Sequence, residues 1–211
     1  MATHYLIVAN GGIDFHTAEA ISTLANGRVV IALDGAANFL MAIGAVPHMC
    51  MGDCDSLSLE TEALLRSRGV EIIKNQCQNT TDLEKAIIHI GKVGDCASAT
   101  IIHALGGRQD HALGNISFLK KYGKLVGGLS ILSWQNKTFY AEDCTLTISG
   151  EPGRSCGFFG FPMATVTSRG LRYEMLNHRL ELGASESVAN SFAGDEVNLE
   201  ISGQCIVTHG V

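Results

Sequence analysis

Hydrophobic and polar positions follow one repeating pattern from the start of the chain to about Asn136. Short apolar runs of β-branched residues alternate there with stretches that have helical periodicity. The predicted strands are Tyr5–Ala9, Val29–Leu33, His48–Met51, Val70–Lys74, Thr100–Leu105 and Leu129–Trp134. The predicted helices are Thr17–Ala25, Ala36–Ile43, Leu59–Arg68, Leu83–Ile90 and His111–Tyr122. This alternation predicts βαβ units and a mostly parallel sheet.

The pattern changes near Asn136, after which no convincing amphipathic helix appears. Turn residues separate short alternating runs, which are Thr145–Ile148, Thr165–Ser168, Leu171–Glu174, Arg179–Leu182, Val197–Ile201 and Cys205–Thr208. Such runs are typical of a small antiparallel sandwich or barrel. We therefore expect an α/β domain over residues 1–136 and an all-β domain over residues 137–211.

Composition narrows the class of protein. The chain has 46% hydrophobic and 17% charged residues, which indicates a globular protein. The net charge of −6 and the lack of a Lys/Arg cluster argue against nucleic-acid binding. Seven cysteines without a Cys-x-x-Cys pair predict neither a disulfide framework nor a zinc site, and they favour a reducing cytoplasm. No signal-peptide pattern and no run of membrane-spanning length is found, so we expect a cytoplasmic protein without a membrane partner.

Five aspartates follow predicted strands or open the helices behind them: Asp34, Asp53, Asp55, Asp82 and Asp110. Because ligands of open α/β sheets bind beyond the carboxyl ends of the strands, parallel strands would bring all five to one rim. Hard oxygen ligands of this kind suit magnesium that is also bound to substrate phosphates.

Each aspartate also has a plain structural explanation. Asp34 and Asp110 fit helix N-caps, and Thr81 with Glu84 forms a capping-box pattern in which Asp82 complements the helix dipole. For any single position this explanation is about as good as a functional one. The pair Asp53 and Asp55 is harder to explain structurally, because two carboxylates this close repel unless a cation or a proton lies between them.

Glycine pairs after two predicted strands indicate phosphate binding. No P-loop motif is present. Asn10-Gly11-Gly12 allows the backbone to approach a ligand closely, and Gly106-Gly107-Arg108 adds a guanidinium suited to phosphate oxygens. Either pair alone is a weak signal, since such pairs are common in turns.

Together these motifs resemble the thiamine pyrophosphokinase family. The matching segments are Asn10-Gly11-Gly12, Asp34-Gly35-Ala36, Gly52-Asp53-Cys54-Asp55-Ser56, Thr81-Asp82-Leu83-Glu84-Lys85-Ala86, and Gly106-Gly107-Arg108-Gln109-Asp110-His111 with Asn115. The resemblance implies an N-terminal α/β domain, a C-terminal β-sandwich, and a homodimer whose active sites lie between domains and subunits. It also implies magnesium and a reaction in which ATP and thiamine give thiamine diphosphate and AMP.

The resemblance also implies roles for individual residues. Asp53, Asp55 and Asp82 would hold magnesium, and Arg108 would offset charge on the transferred group. Asp110 would take the hydroxyl proton of thiamine or orient the hydroxyl. The nucleotide-binding positions would be Asn10, Gly11, Asp34, Gly107 and Arg108.

In the second half, the resemblance implies that Ser187 and Asn190 bind thiamine, within the turn-rich segment Ser185–Phe192. Two positions depart from the family pattern: Ala189 replaces a serine and Asn79 replaces an aspartate. An aromatic residue would suit the thiazolium cation of thiamine. The candidates are Phe158, Phe159, Phe161 and Trp134, although a core position is the better expectation for any single one of them.

Three other functions use the same residues. A pyrophosphokinase for another small alcohol, such as a hydroxymethyl pterin, would share the magnesium site and differ in the acceptor pocket. A magnesium-dependent phosphohydrolase would direct the same carboxylates at water. A non-catalytic nucleotide or thiamine-binding module is the least attractive of the three, because binding thiamine alone requires no acidic cluster.

Overall fold

The computed structural model describes residues 2–12, 15 and 17–211. Two compact units divide the chain, an N-terminal unit over Met1–Trp134 and a C-terminal unit over Gln135–Val211. Over the described residues, none of the helices combines the length and the apolar character needed to cross a membrane.

The N-terminal unit is a parallel sheet with connecting helices, as the sequence predicts. Its strands are β1 (Thr3–Val8), β2 (Val29–Leu33), β3 (Met49–Gly52), β4 (Glu71–Lys74), β5 (Cys96–Ile102) and β6 (Leu129–Leu132). Its helices are α1 (Ala18–Ala25), α2 (Ala36–Ala42), α3 (Leu59–Ser67), α4 (Asp82–Val93) and α5 (Gln109–Tyr122). The strands are ordered β6-β5-β1-β2-β3-β4, and each neighbouring pair is parallel.

Strand β1 is the centre of this sheet and its topological switch point. The chain adds β2, β3 and β4 on one side of β1 and then β5 and β6 on the other. Leu6, Ile7 and Val8 are each 0% exposed, as expected for a strand covered on both faces. In such sheets the crevice at the switch point, beyond the carboxyl ends of the strands, is where ligands bind.

Helix α4 begins with the predicted capping box. The Glu84 amide donates to the Thr81 hydroxyl over 3.3 Å, and the Thr81 amide donates to the Glu84 carboxylate over 3.1 Å. The same carboxylate accepts from Lys121 at 2.6 Å and from Tyr122 at 2.8 Å, which ties α5 to α4. Gly94 ends the helix in the left-handed conformation with φ 77°.

The C-terminal unit is built from antiparallel strands. They are β7 (Asn136–Ser149), β8 (Ser155–Arg169), β9 (His178–Glu181), β10 (Ser187–Ser191) and β11 (Glu196–Gly210). Strand β11 pairs with β7 and β8, and β8 also pairs with β9 and β10. The side chains of Phe158, Val166 and Val207 are fully buried in the core between these strands. The N-terminal α/β and C-terminal antiparallel classes are therefore as predicted.

Individual strands of this unit differ from the sequence-based boundaries. Two predicted runs, Val197–Ile201 and Cys205–Thr208, belong to the single strand β11. A register shift lies between them, where Gly203 has φ 88°, and this irregularity interrupts the alternation that sequence patterns detect.

The predicted strand Leu171–Glu174 is wrong. Only an isolated bridge from Leu171 to Phe192 forms there. The Glu174 carboxylate instead accepts from the Ser168 hydroxyl at 2.6 Å and from the Gly170 amide at 2.7 Å, so the segment closes on itself as a loop.

Candidate functional site

A cleft of about 870 Å³ lies at the carboxyl ends of the parallel strands, within the N-terminal unit. All of the nucleotide and metal residues predicted from the sequence line this cleft. They are Asn10, Gly11, Asp34, Asp53, Asp55, Asp82, Gly107 and Arg108. The parallel topology therefore brings together residues that lie far apart in the sequence.

The loops after β1 and β5 meet through bare backbone at the base of this cleft. A Cβ on Gly11 would lie 2.3 Å from the His103 carbonyl oxygen, and one on Gly12 would lie 2.6 Å from the Gly106 Cα. Both distances are below contact distance, so any side chain here would force the loops apart. Glycine at these positions therefore allows the two loops to pack backbone against backbone.

Three carboxylates form an acidic cluster in the cleft. Asp34, Asp53 and Asp82 each contribute one oxygen atom, and these three oxygens lie within 4.8 Å of one another. Asp34 follows β2, Asp53 follows β3, and Asp82 opens α4. Gly52 lies between them with φ 151°, and a Cβ there would lie 3.1 Å from Asp34 Cβ and 3.1 Å from Asp82 Oδ2.

Local hydrogen bonds fix the cluster. The amide of Asp34 donates to the Met51 carbonyl over 2.9 Å, which joins the ends of β2 and β3. Asp34 has φ 47° and is only 6% exposed, and its Oδ1 accepts from the Ser56 amide at 3.1 Å. Burial raises the pKa of Asp34, while the hydrogen bonds from Ser56 act in the opposite direction.

Asn38 of α2 holds the loop that carries Asp53 and Asp55. Its side-chain amide donates to the Ser56 carbonyl over 2.8 Å, and its Oδ1 accepts from the Ser58 amide at 3.1 Å. These two bonds fix the end of the loop, Ser56–Ser58, against α2.

The cluster fits a small, hard divalent cation. Magnesium binds oxygen ligands at about 2.0–2.1 Å in octahedral geometry, so opposite ligands lie roughly 4.2 Å apart. The three oxygens lie within 4.8 Å of one another, a limit slightly wider than this separation. Their chemistry suits magnesium, which would draw the three oxygens closer together on binding.

The membership of the cluster differs from the predicted set of Asp53, Asp55 and Asp82. Asp34 belongs to it, whereas Asp55 lines the cleft outside it. Cys54, with φ 62°, turns the chain between Asp53 and Asp55. The Asp55 carboxylate accepts from the Ser56 hydroxyl at 3.0 Å.

Arg108 and Asp110 form a two-pronged ion pair at the start of α5. The two distances are 2.5 Å from Nη2 to Oδ2 and 3.1 Å from Nε to Oδ1. Both side chains are exposed, by 73% and 63%. The hydrogen bonds from Arg108 lower the pKa of Asp110 to about 2, so this carboxylate is a weak base at neutral pH.

The two residues predicted to bind thiamine lie on β10 of the C-terminal unit. Asn190 is 4% exposed, and its side chain bonds the Tyr173 backbone, accepting from the amide at 3.1 Å and donating to the carbonyl at 2.8 Å. Ser187 is half-buried and pairs with Phe158. Asn190 therefore fixes the loop at Tyr173, whose ring is 61% exposed, and direct contact of Ser187 or Asn190 with a ligand stays a prediction.

The aromatic candidates occupy contrasting environments. Phe158 is fully buried in the core of the C-terminal unit, as expected. Trp134 is 64% exposed, and its ring lies 6.0 Å from that of Phe15 in the N-terminal unit. The expectation of a core position is therefore wrong for Trp134.

His103 lines the cleft but was not among the residues predicted from the sequence. It is 1% exposed with φ 59°, and its Nε2 accepts from the Phe15 amide at 3.2 Å. The ring packs edge-on against Phe39 at 5.4 Å between centroids. The predicted strand ran through His103 to Leu105, whereas β5 ends at Ile102. A residue just beyond a strand end would have been a candidate if that end had been predicted correctly.

Both units match known protein families. Residues 20–126, just over half of the chain, match the family profile "Thiamin pyrophosphokinase, catalytic domain". Residues 143–206 match "Thiamin pyrophosphokinase, vitamin B1 binding domain". The first matched segment contains the acidic cluster, and the second contains Ser187 and Asn190.

Individual relatives carry the same name. Thiamine pyrophosphokinase 1 of Oryza sativa subsp. japonica is 29% identical over 175 residues, which cover 77% of this chain and 65% of that protein. Thiamin pyrophosphokinase 1 of Caenorhabditis elegans is 25% identical over 189 residues, covering 83% of this chain and 76% of that protein. The chain spans 65%, 62% and 61% of the length of three plant relatives.

Solved structures share the fold. Thiamin pyrophosphokinase from Candida albicans has a TM-score of 0.86 at 19% identity, covering 100% of this chain and 89% of that one. The enzyme from Bacillus subtilis has a TM-score of 0.83 at 20% identity, covering 98% of both chains. The fold is thus that of these structures, and on the catalytic-domain match the chain belongs to the thiamin pyrophosphokinase family.

Proposed function

We propose that this protein transfers the diphosphate group of ATP to the hydroxyl of thiamine, giving thiamine diphosphate and AMP. The observation that carries the proposal is the cluster of Asp34, Asp53 and Asp82 in the cleft at the carboxyl ends of the parallel strands, inside the segment that matches the catalytic domain. Neither alternative acceptors nor hydrolysis has comparable support from the matched families.

In this reaction the thiamine hydroxyl oxygen attacks the β-phosphorus of ATP. The bond from that phosphorus to the oxygen shared with the α-phosphate breaks, AMP leaves with that oxygen, and the hydroxyl proton is released. Reactions of this type are accelerated mainly by positioning the reactants and by stabilising charge on the transferred group. The protein must therefore bind a polyphosphate and aim an alcohol at its middle phosphorus.

Asp34, Asp53 and Asp82 would hold magnesium, which when bound neutralises charge on the phosphates. Asp55 lines the cleft beside the cluster, and through its bond from the Ser56 hydroxyl it would orient the loop residues around the magnesium ion. The glycine backbone at Gly11 and Gly107, together with Asn10, would bind the nucleotide. These nucleotide-binding roles are supported by position, because Asn10, Gly11 and Gly107 line the same cleft as the carboxylates.

Arg108 would bind oxygens of the transferred diphosphate, because a planar guanidinium matches phosphate geometry. The bonds from Arg108 lower the pKa of its present partner Asp110 to about 2, and we propose that Asp110 orients the acceptor hydroxyl. Phosphate binding would then compete with Asp110 for the guanidinium.

The C-terminal unit would supply thiamine contacts, because residues 143–206 match the vitamin B1 binding profile. Ser187 and Asn190 are the proposed residues, with Asn190 also positioning Tyr173 through the backbone bonds described above. A cytoplasmic homodimer remains part of the proposal, and it rests on the family resemblance.

The direct test is incubation with ATP, MgCl₂ and thiamine, with thiamine diphosphate and AMP measured by chromatography. We expect equal amounts of the two products, and no AMP when thiamine is omitted. AMP formed equally without an acceptor would indicate a phosphohydrolase. Faster diphosphate transfer to a hydroxymethyl pterin than to thiamine would indicate the other pyrophosphokinase.

A further inference from the structure

Lys85 is a buried lysine that pairs with one member of the acidic cluster. Its side chain is only 4% exposed, and its Nζ lies 2.8 Å from Asp82 Oδ1, one turn away on α4. Lysine is almost never buried unless it is paired, because removing an ammonium from water is unfavourable. The position therefore requires the carboxylate of Asp82.

The two oxygens of Asp82 have different surroundings. Oδ1 accepts from Lys85, whereas Oδ2 lies on the side of Gly52, 3.1 Å from where a Cβ on that glycine would be. Asp34 Cβ lies at the same 3.1 Å from that point. The bond to Lys85 thus holds Asp82 with its other oxygen on the side of Gly52 and Asp34.

The positive charge of Lys85 has a second role, which concerns the repulsion within the acidic cluster. Three carboxylates with oxygens within 4.8 Å of one another repel when all are ionised and no cation lies among them. Lys85 is bonded to one of the three and is itself 4% exposed, so its charge offsets part of this repulsion.

We propose that Lys85 is the permanent counter-ion of the acidic cluster. It fixes the orientation of Asp82 and keeps the three carboxylates together before magnesium binds. Lys85 is a positioning residue that acts through Asp82. The assignment rests on the proposed magnesium site and adds to it the residue that preorganises it.

The test compares Lys85→Met with Lys121→Met. Lys121 also pairs with an acidic residue of α4, Glu84 at 2.6 Å, but that carboxylate is outside the cluster. Both variants are purified with MgCl₂, and Tm is then measured in EDTA and in increasing Mg²⁺. Removing one partner of a buried ion pair in a chain of this size lowers Tm by on the order of 10 °C in EDTA, so we expect this loss in Lys85→Met and a smaller one in Lys121→Met, whose lysine is 57% exposed.

Magnesium should restore Lys85→Met, because the ion replaces the missing charge. We expect its Mg²⁺-induced rise in Tm to be roughly twice that of the wild type, whereas Lys121→Met should show the wild-type rise. The double variant Asp82→Asn/Lys85→Met should be more stable in EDTA than Lys85→Met, because it has no unpaired charge at position 82.

A Lys85→Met variant that folds only with magnesium supports the proposal. Equal Mg²⁺-induced rises in the wild type and Lys85→Met, without recovery in the double variant, would overturn it. Unfolding of both variants even with magnesium would also count against it, because the role would then be general packing. The wild-type measurement separates the two proposals. If Mg²⁺ does not raise the Tm of the wild type, the magnesium site itself is wrong. If Mg²⁺ raises the Tm of the wild type and that of Lys85→Met by the same amount, only the role of Lys85 is wrong.

Discussion

Asp34 combines an unusual backbone conformation with a buried charge. Its φ of 47° is in the left-handed region, which asparagine and aspartate adopt more readily than most residues. Asparagine also keeps an oxygen that can accept from the Ser56 amide. Asp34→Asn therefore removes the charge with little change in the backbone, and it isolates the contribution of this residue to the acidic cluster.

We expect Asp34→Asn to lower kcat on the order of a hundredfold, because it removes one of three charges that would bind magnesium. Asp55→Asn should lower kcat by about tenfold or less, since Asp55 lies outside the cluster and would act indirectly. Steady-state assays at saturating ATP and Mg²⁺ measure both values, with circular dichroism confirming the fold. A larger loss in Asp55→Asn than in Asp34→Asn would favour the set of Asp53, Asp55 and Asp82 instead.

Arg108 is the second residue whose geometry leads to a prediction. Arg108→Lys keeps the positive charge but loses the two-pronged contact that the guanidinium makes with Asp110. We expect kcat to fall by about tenfold or more, with a smaller change in the KM for thiamine. The matched control is Arg66→Lys, which alters an exposed pair with Glu62 at 2.7 Å on α3. An unchanged kcat in Arg108→Lys would make Arg108 an ordinary surface residue.

At the scale of elements, the loop after β3 depends on a neighbouring helix. Asn38 of α2 bonds both ends of the segment Ser56–Ser58. We expect Asn38→Ala to raise the Mg²⁺ concentration for half-maximal activity by about three- to tenfold, because the loop carrying Asp53 is less well fixed. Asn198→Ala, which removes a side-chain bond to Thr147 in the other unit, should leave this concentration unchanged. Equal effects of the two variants would contradict the positioning role of Asn38.

Some elements were predictable from sequence because their causes are local. The cap of α4 depends on Thr81 and Glu84, three residues apart, and it forms as predicted. Strand β11 was divided into two because the irregularity at Gly203 depends on how β11 pairs with β7 and β8. Asp34, Asp53 and Asp55 were expected at one rim, but that Asp34 and not Asp55 joins Asp53 in the cluster depends on the turn at Cys54 and on the pairing of β2 with β3.

At the scale of the whole molecule, the two units have separate hydrophobic cores. One core includes Ile21 and Leu40 of the N-terminal unit, and the other includes Phe158 and Phe192 of the C-terminal unit. Each unit also matches its own family profile. The fold classes and their order followed from sequence periodicity, because parallel α/β and antiparallel β patterns differ in period.

The C-terminal core contains a titratable group, His209, which is 6% exposed. Its ring lies 6.1 Å from the rings of both Phe139 and Phe192. Burial is the main cause that lowers the pKa of His209 below its ordinary 6.5. The folded state therefore favours the neutral ring, while the unfolded chain takes up a proton as the pH falls through 6.5.

Stability should consequently be complete above about pH 6.5 and should decrease as the pH falls toward the lower pKa of the folded state. We expect the free energy of unfolding, from urea titrations, to decline between pH 7 and 5 with a slope that His209→Gln reduces. The comparison uses slopes, so a general loss of stability in the variant does not affect it. Parallel pH profiles for the two proteins would show that His209 is not responsible.

The acidic cluster takes its three members from three separate elements, since Asp34 follows β2, Asp53 follows β3, and Asp82 opens α4. Without an ion, the start of α4 can open separately from the joined ends of β2 and β3 in local fluctuations. If one ion were bound by all three carboxylates, opening any of these ends would break the same metal site. The three ends would then open together, as one event. Amide hydrogen exchange near these three ends should then slow together and by similar factors on adding Mg²⁺, while exchange in α1 stays constant. Slowing at one end alone would mean that the ion binds a single carboxylate and leaves the elements kinetically independent.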